Sequence, residues 1–312
     1  MESVFKTPIL LICFNRPTHT LRIWNEIKKQ HPKYVFVFQD GAREGNEIDI
    51  EKCKDVRAIF EKQLDWDCEL QTYFSDVNLG CGPGPVRGIT WFFNNVEQGI
   101  IFEDDCLPSQ TLFRFYEELL DNYKDNEYIS LITGTNLKLR WKSKTKSYFF
   151  STVGAATMGS WATWKRTWNL FDYDILAWKN EEVRHKIKTN LRSLKYYKYY
   201  SKFFDEFCCS KQTSVWDYQR YFSQVLNDSV SIVSTVNQMS NIGFGKESTH
   251  TLNPNDSLAN LPIYNMEFPM KNSKFKIDKL FDNIIFYRYN YTKKKTLLMR
   301  LRLKTIECIF CR

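Results

Sequence analysis

The sequence predicts an α/β fold, a mostly parallel doubly wound sheet with helices on both faces. Two observations carry that reading. The first 130 residues alternate short β-rich apolar runs with stretches of helical spacing, and the composition is that of a chain with a large core. The predicted strands are 8–14, 34–39, 68–74 and 99–102. Between them Leu21, Trp24 and Ile27 follow Thr18 at helical spacing, then Val56, Ile59, Phe60 and Leu64, and 86–96 fits a third helix. A βαβαβαβ order joined by right-handed crossovers makes the sheet parallel.

At 312 residues and 37.3 kDa, with 43% hydrophobic, 16% aromatic and 26% charged residues, the chain needs no disulfide or metal staple and does not read as disordered. Nine scattered cysteines, an odd number, carry no zinc spacing beyond one C-x-x-C at the end. This suggests a reduced, cytoplasmic setting. The first apolar run stops at Asn15-Arg16-Pro17 and reads as a strand, not a signal peptide, and no stretch has the length to span a bilayer.

The net charge is +8, but from Arg288 onward eight cations face one acid, Glu307, leaving the body nearly neutral. That distribution argues against a nucleic-acid partner and for a surface-docking tail. The tail interleaves Leu297, Leu298, Leu301, Leu303, Ile306 and Phe310 with cations. Such a run can lie on an anionic membrane surface, at the inner face of the cell membrane, or pack on the body with its cations in water. The basic aromatic stretch 185–204 can assist docking or bind an anionic glycan.

Beyond residue 130 the expected elements are a strand pair, Ile129–Thr133 with Tyr148–Ser151, an aromatic segment 159–168, and helices near 181–209 and 215–226. The organisation expected is a catalytic domain 1–265, with halves 1–130 and 131–265, and a basic tail 266–312. Segment 245–260 reads as a polar loop.

In doubly wound sheets ligands sit outside the carboxyl ends of the strands. That rule selects four loops: Asn15-Arg16-Pro17, Gln39-Asp40-Gly41, the glycine-rich 78–85, and Glu103-Asp104-Asp105. The three adjacent carboxylates repel by about 1 kcal/mol or more per pair. A hard divalent cation, Mg²⁺ or Mn²⁺, relieves this, and so does a solvated turn in which Asp105 or Ser109 caps the next helix. Loop 78–85 lacks the lysine and spacing of a Walker A loop. It opens a helix whose Arg87 is placed to reach a phosphate or sugar.

A first strand ending in Asn15-Arg16-Pro17, a second in Gln39-Asp40-Gly41, and a fourth running into Glu103-Asp104-Asp105 ahead of Pro108 and a Phe-rich helix resemble the GT-A, Rossmann-like glycosyltransferases that use nucleotide sugars. The resemblance is to bacterial members of glycan-assembly clusters and, more distantly, to N-acetylglucosaminyltransferase I type enzymes, over residues 7–250. It implies that Arg16, with Asn15, and Asp40 hold the nucleotide, Asp40 accepting from a uracil N–H. It also implies that Glu103 and Asp104 face the donor, and that Asp105 coordinates Mn²⁺ or Mg²⁺ at the diphosphate. The segment 158–168 resembles the family's tryptophan-rich stretch, with Trp161 as the sugar contact and Trp164 and Trp168 as core residues four apart on a helix. The base that inverting transfer needs falls, by the match, on Asp217 after Trp216 at a helix start. A helix-dipole carboxylate is the plain alternative, and Asp205, Glu206 and the Asp172/Asp174 pair are fallbacks. In related folds a late histidine joins the metal or diphosphate; here that is His250, for which a solvated loop histidine is the alternative.

The implied partners are a UDP-linked sugar donor and a glycan or lipid-linked acceptor. A nucleotidyltransferase, which wants a Gly-rich cationic signature after the first strand, and a non-catalytic glycan-binding module are the rival classes.

Overall fold

The computed structural model describes residues 5–62, 64–153, 159–208, 214–245, 248 and 252–290. In chain order the elements are β1 (Ile9–Cys13), α1 (Pro17–Lys28), β2 (Tyr34–Gln39), α2 (Glu47–Lys62), β3 (Glu69–Phe74), α3 (Pro83–Asn95), β4 (Gln98–Glu103), β5 (Cys106–Pro108), α4 (Thr111–Tyr123), β6 (Ile129–Thr133), β7 (Tyr148–Ser151), β8 (Trp161–Trp164), α5 (Lys165–Trp168), α6 (Glu181–Asn190), α7 (Leu194–Phe207), α8 (Asp217–Leu226), β9 (Val230–Ser234), β10 (Met239–Asn241) and α9 (Lys279–Ile285). All four early strands form where the sequence predicts them. The third helix starts three residues early because Pro83 and Pro85 lie in its first turn, where a missing N–H does no harm.

The main sheet has eight strands in the order β3-β2-β1-β4-β8-β6-β9-β7. Pairs β1·β2, β2·β3, β1·β4 and β6·β9 are parallel, whereas β8 runs antiparallel to β4 and β6, and β7 antiparallel to β9. This is the α/β architecture, mostly parallel, that the sequence predicts. Ile9, Leu11, Val35, Val37, Ile100 and Phe102 face a core shared with α1, α2 and α4. The alternate residues Leu10, Ile12, Phe36, Phe38 and Ile101 face α3, Trp161 and Trp168. Both faces are therefore covered, which is why these strands read as continuous apolar runs. Register pairs Ile12 with Phe38 and with Glu103. It brings the carboxyl ends of β1, β2 and β4 to one edge, and strand order reverses at β1.

Three expectations change. Strands β6 and β7 are not paired with each other, because β9 lies between them and hydrogen-bonds to both. Trp164 ends a strand and α5 begins only at Lys165, so Trp164 and Trp168 do not share a helix, although both are buried. The body also does not stop at 265. Met266 is in the core, Phe281 packs 4.6 Å from Phe149, and Asp278 caps α9 by accepting from Phe281 N while Trp141 Nε1 donates to it at 3.0 Å. Among the described residues no helix is long and apolar enough to cross a membrane. Residues 291–312 of the basic tail lie outside the described residues.

Candidate active site

The acidic triplet does not run into a capped helix. β4 ends at Glu103, and β5 turns away to pair antiparallel with β10, Cys106 opposite Asn241. Gln110, not Ser109 or Asp105, precedes α4, and its side chain makes no cap. The turn is therefore held by tertiary contacts, chiefly with Arg16. Nε of Arg16 donates to Asp104 Oδ2 at 3.3 Å, Nη2 donates to Asp104 Oδ1, and Nη1 and Nη2 both reach Asp105 Oδ2 at 3.2 Å. The Arg16 carbonyl accepts from Thr20 N and Oγ1, both at 2.9 Å, so the start of α1 holds the arginine.

Arg16 is thus a clamp on the acidic turn, where the resemblance implied a nucleotide contact. Burial works against its charge, but the two aspartates hold it protonated beyond the ordinary arginine range. Burial raises Asp104 even with Arg16 bonded to it, because Asp105 lies alongside. Glu103 is pushed up to about 8 by burial first and then by the charges of Asp105 and Asp104.

Asp40 likewise has a structural role. Its carboxylate accepts from Gly41 N at 3.0 Å, Leu79 N at 2.8 Å, Gly80 N at 2.9 Å and Asn78 Nδ2 at 3.1 Å. Four donors fill its acceptor sites, so it fastens the glycine-rich loop to β2 and is not open to a uracil N–H. Gly41 is required there, since a Cβ would fall 2.5 Å from the Val77 carbonyl carbon.

One cleft of about 840 Å³ receives the outcome. Asn15, Arg16, Asp40, Glu103, Asp104, Asp105 and Asp217 all line it, with Trp216 beside Asp217. Asp217 is the first residue of α8, and its charge is close enough to raise Glu103. The sequence reading missed Asp49 and Arg43, which also line the cleft. Arg43 Nη2 and Asn15 Nδ2 donate to Asp49 Oδ1 at 2.8 and 2.7 Å, and Arg43 holds the Asp49 carboxyl below its usual range. The signal was present: Asp49, Cys53, Val56 and Phe60 share the buried face of α2, so a carboxylate occupies an apolar register position.

Two predicted residues are not in the cleft. Arg87 is exposed on α3, away from the lining loop. Trp161 is 2% exposed, packed 5.9 Å from Trp216, and lines a separate cavity. The cleft wall is Trp216. His250 lies outside the described residues.

The donor set fits a hard cation only in a minimal way. Carboxylates outnumber Arg16 in the acidic corner, yet among the described residues no group of three His, Cys, Asp or Glu is arranged to hold a metal. Asp105 offers a single oxygen anchor at the cleft. Its Oδ2 lies where a Cβ on Gly243 would come within 2.2 Å, so only glycine leaves that oxygen its space. An ion there would complete its shell with water and phosphate oxygens, which suits Mg²⁺ or Mn²⁺.

No protein-family model matches the chain, and no curated protein does. Among solved structures it is similar to galactosyltransferase LgtC in complex with donor and acceptor sugar analogues, at 8% identity over 97% of this chain and 96% of that one, TM-score 0.38. It is similar to apo UDP-glucose pyrophosphorylase at 9% identity over 76% and 93%, TM-score 0.38. Mouse xyloside xylosyltransferase 1, in its apo form, matches at 10% identity over 70% and 81%, TM-score 0.35.

Proposed function

We propose that the chain is a metal-dependent glycosyltransferase that moves a hexosyl or N-acetylhexosaminyl group from a UDP-linked sugar to a glycan or lipid-linked acceptor, with inversion. The observation that supports it most is the meeting, in one cleft, of the acidic turn after β4, its Arg16 clamp and the carboxylate of Asp217. The donor lies across the carboxyl ends of β1, β2 and β4, where strand order reverses. Glu103, at the end of β4, faces the donor. Arg16 keeps Asp104 and Asp105 in place. Mn²⁺ or Mg²⁺ at Asp105 would neutralise the charge that grows on the departing diphosphate. Asp217 takes the acceptor hydroxyl proton as that oxygen attacks the anomeric carbon, and the Trp216 ring limits water around it.

Two variants test this. Asp105→Asn is expected to remove metal-dependent UDP binding in calorimetry while the thermal unfolding curve stays cooperative. Asp217→Asn is expected to lower kcat by roughly 10²–10⁴ with UDP affinity retained. UDP binding that is equal in EDTA and in Mn²⁺, or full turnover by Asp217→Asn, overturns the reading.

A further inference from the structure

A second cavity of about 310 Å³ lies behind the wall formed by Trp216 and Trp161. Trp161, Thr163, Arg166, Trp168, Arg220 and Gln224 line it, and none of them lines the cleft. Arg220 sits one turn after Asp217 on α8 and is 6% exposed, yet its Nε has no hydrogen-bond partner. Its side-chain bond from Nη2 to Gln224 Oε1 is long, 3.5 Å, and its guanidinium stands 5.7 Å from the Trp161 ring. Burial pulls its pKa down to about 10 against the opposing charge of Asp217. A buried, under-bonded guanidinium is costly unless an opposite charge meets it.

The neighbouring groups define what meets it. Arg166 adds a second positive charge to the wall and Glu127 one negative charge, and the Arg166 guanidinium donates to the carbonyls of Tyr123, Lys124, Asn126 and Ile129 and to Thr167 Oγ1 rather than to a carboxylate. Thr163 Oγ1 and Ser223 Oγ already donate to the carbonyls of Ser130 and Gln219. Nε of Arg220 is closed off by packing, so a ligand meets this guanidinium through its Nη atoms, whose donors suit the oxygens of an oxyanion. One side of the wall is aromatic, with Trp168 stacked on Phe171 at 4.5 Å and 7°. We propose that this cavity binds a small ring-bearing oxyanion, a carboxylate or a phosphate ester, with Arg220 as its anchor and the Trp168–Phe171 wall against its ring. The volume is at the lower end of the range of small-molecule sites. The proposal does not depend on the transfer chemistry of the cleft.

Thermal unfolding of the full chain against benzoate, phenyl phosphate and neutral benzyl alcohol tests it. The expected result is saturable stabilisation by at least one of the two anions and none by benzyl alcohol, unchanged when UDP is present at saturation. A response to benzoate alone assigns the natural ligand to carboxylates, and one to phenyl phosphate alone to phosphate esters. Arg220→Gln is expected to weaken that binding at least about tenfold. Ser223→Leu, which fills the cavity and keeps the guanidinium, is expected to abolish it and decides the matter should Arg220→Gln fail to fold. Stabilisation by neither anion, equal stabilisation by benzyl alcohol, loss on adding UDP, or survival in both variants overturns the proposal.

Discussion

Asp282 shows how a single buried carboxylate ties the C-terminal helix to the sheet. Ser151 Oγ donates to it at 2.5 Å, and Thr152 donates through N at 3.0 Å and Oγ1 at 2.7 Å. Burial outweighs those bonds and raises its pKa from 3.8 to about 6. The folded state thus holds a proton more tightly than the unfolded chain between those two values. Stability from this group is complete below about pH 4 and is lost as pH rises through about 6. Asp282→Asn removes that dependence. The stability difference between wild type and variant, from urea unfolding, is expected to shift by roughly 2 kcal/mol in favour of the wild type between pH 7 and pH 4. A difference flat across that range rejects the assignment. At the same scale Asp40 and Arg16 carry a general lesson: a charged residue at a strand's end was legible as important, but its partner was not, since Asp40 meets Leu79 and Arg16 meets Asp104 only through the fold.

At the scale of elements, α8 carries two unlike tasks a turn apart: Asp217 enters the cleft and Arg220 the second cavity. Helical spacing revealed that helix and placed its start within two residues, but three- and four-residue steps cannot say which cavity each face meets. α9 is the element the sequence reading left to the tail. Its Phe281 is fully buried between Phe149 and Trp141. Phe281→Ala is expected to destabilise the chain by about 3–5 kcal/mol, read from the midpoint of urea unfolding; a loss below about 1 kcal/mol would detach α9 from the core. The reason α9 escaped notice is its length, seven residues, too short for a periodic signal above its polar surroundings. β8 escaped in the same way: Trp161–Trp164 is a four-residue strand inside what read only as an aromatic segment, with Trp164 placed on a helix with Trp168.

At the scale of the whole molecule, the excess charge lies at one end of the sequence, with a near-neutral body before it. We propose that 288–312 docks the chain on an anionic bilayer. The full chain is expected to co-sediment with phosphatidylglycerol vesicles at low salt, to bind phosphatidylcholine vesicles far less, and to be released by roughly 0.5 M salt as charges are screened. Sedimentation with neither vesicle, or equally with both, overturns the charge-driven docking.

The sequence by itself determined the order of the first four strands, their common buried character, and the loops at their carboxyl ends, because period and composition are local properties written into consecutive residues. It also determined that acidic residues crowd the end of β4. Tertiary structure decided the rest. It alone joined Arg16 to Asp104 and Asp105, turned Asp40 into a loop fastening, moved Trp161 behind Trp216, and inserted β9 between β6 and β7. Each of these joins residues far apart along the chain, and what a side chain does is set by which distant donor or ring the fold brings within a few ångströms of it.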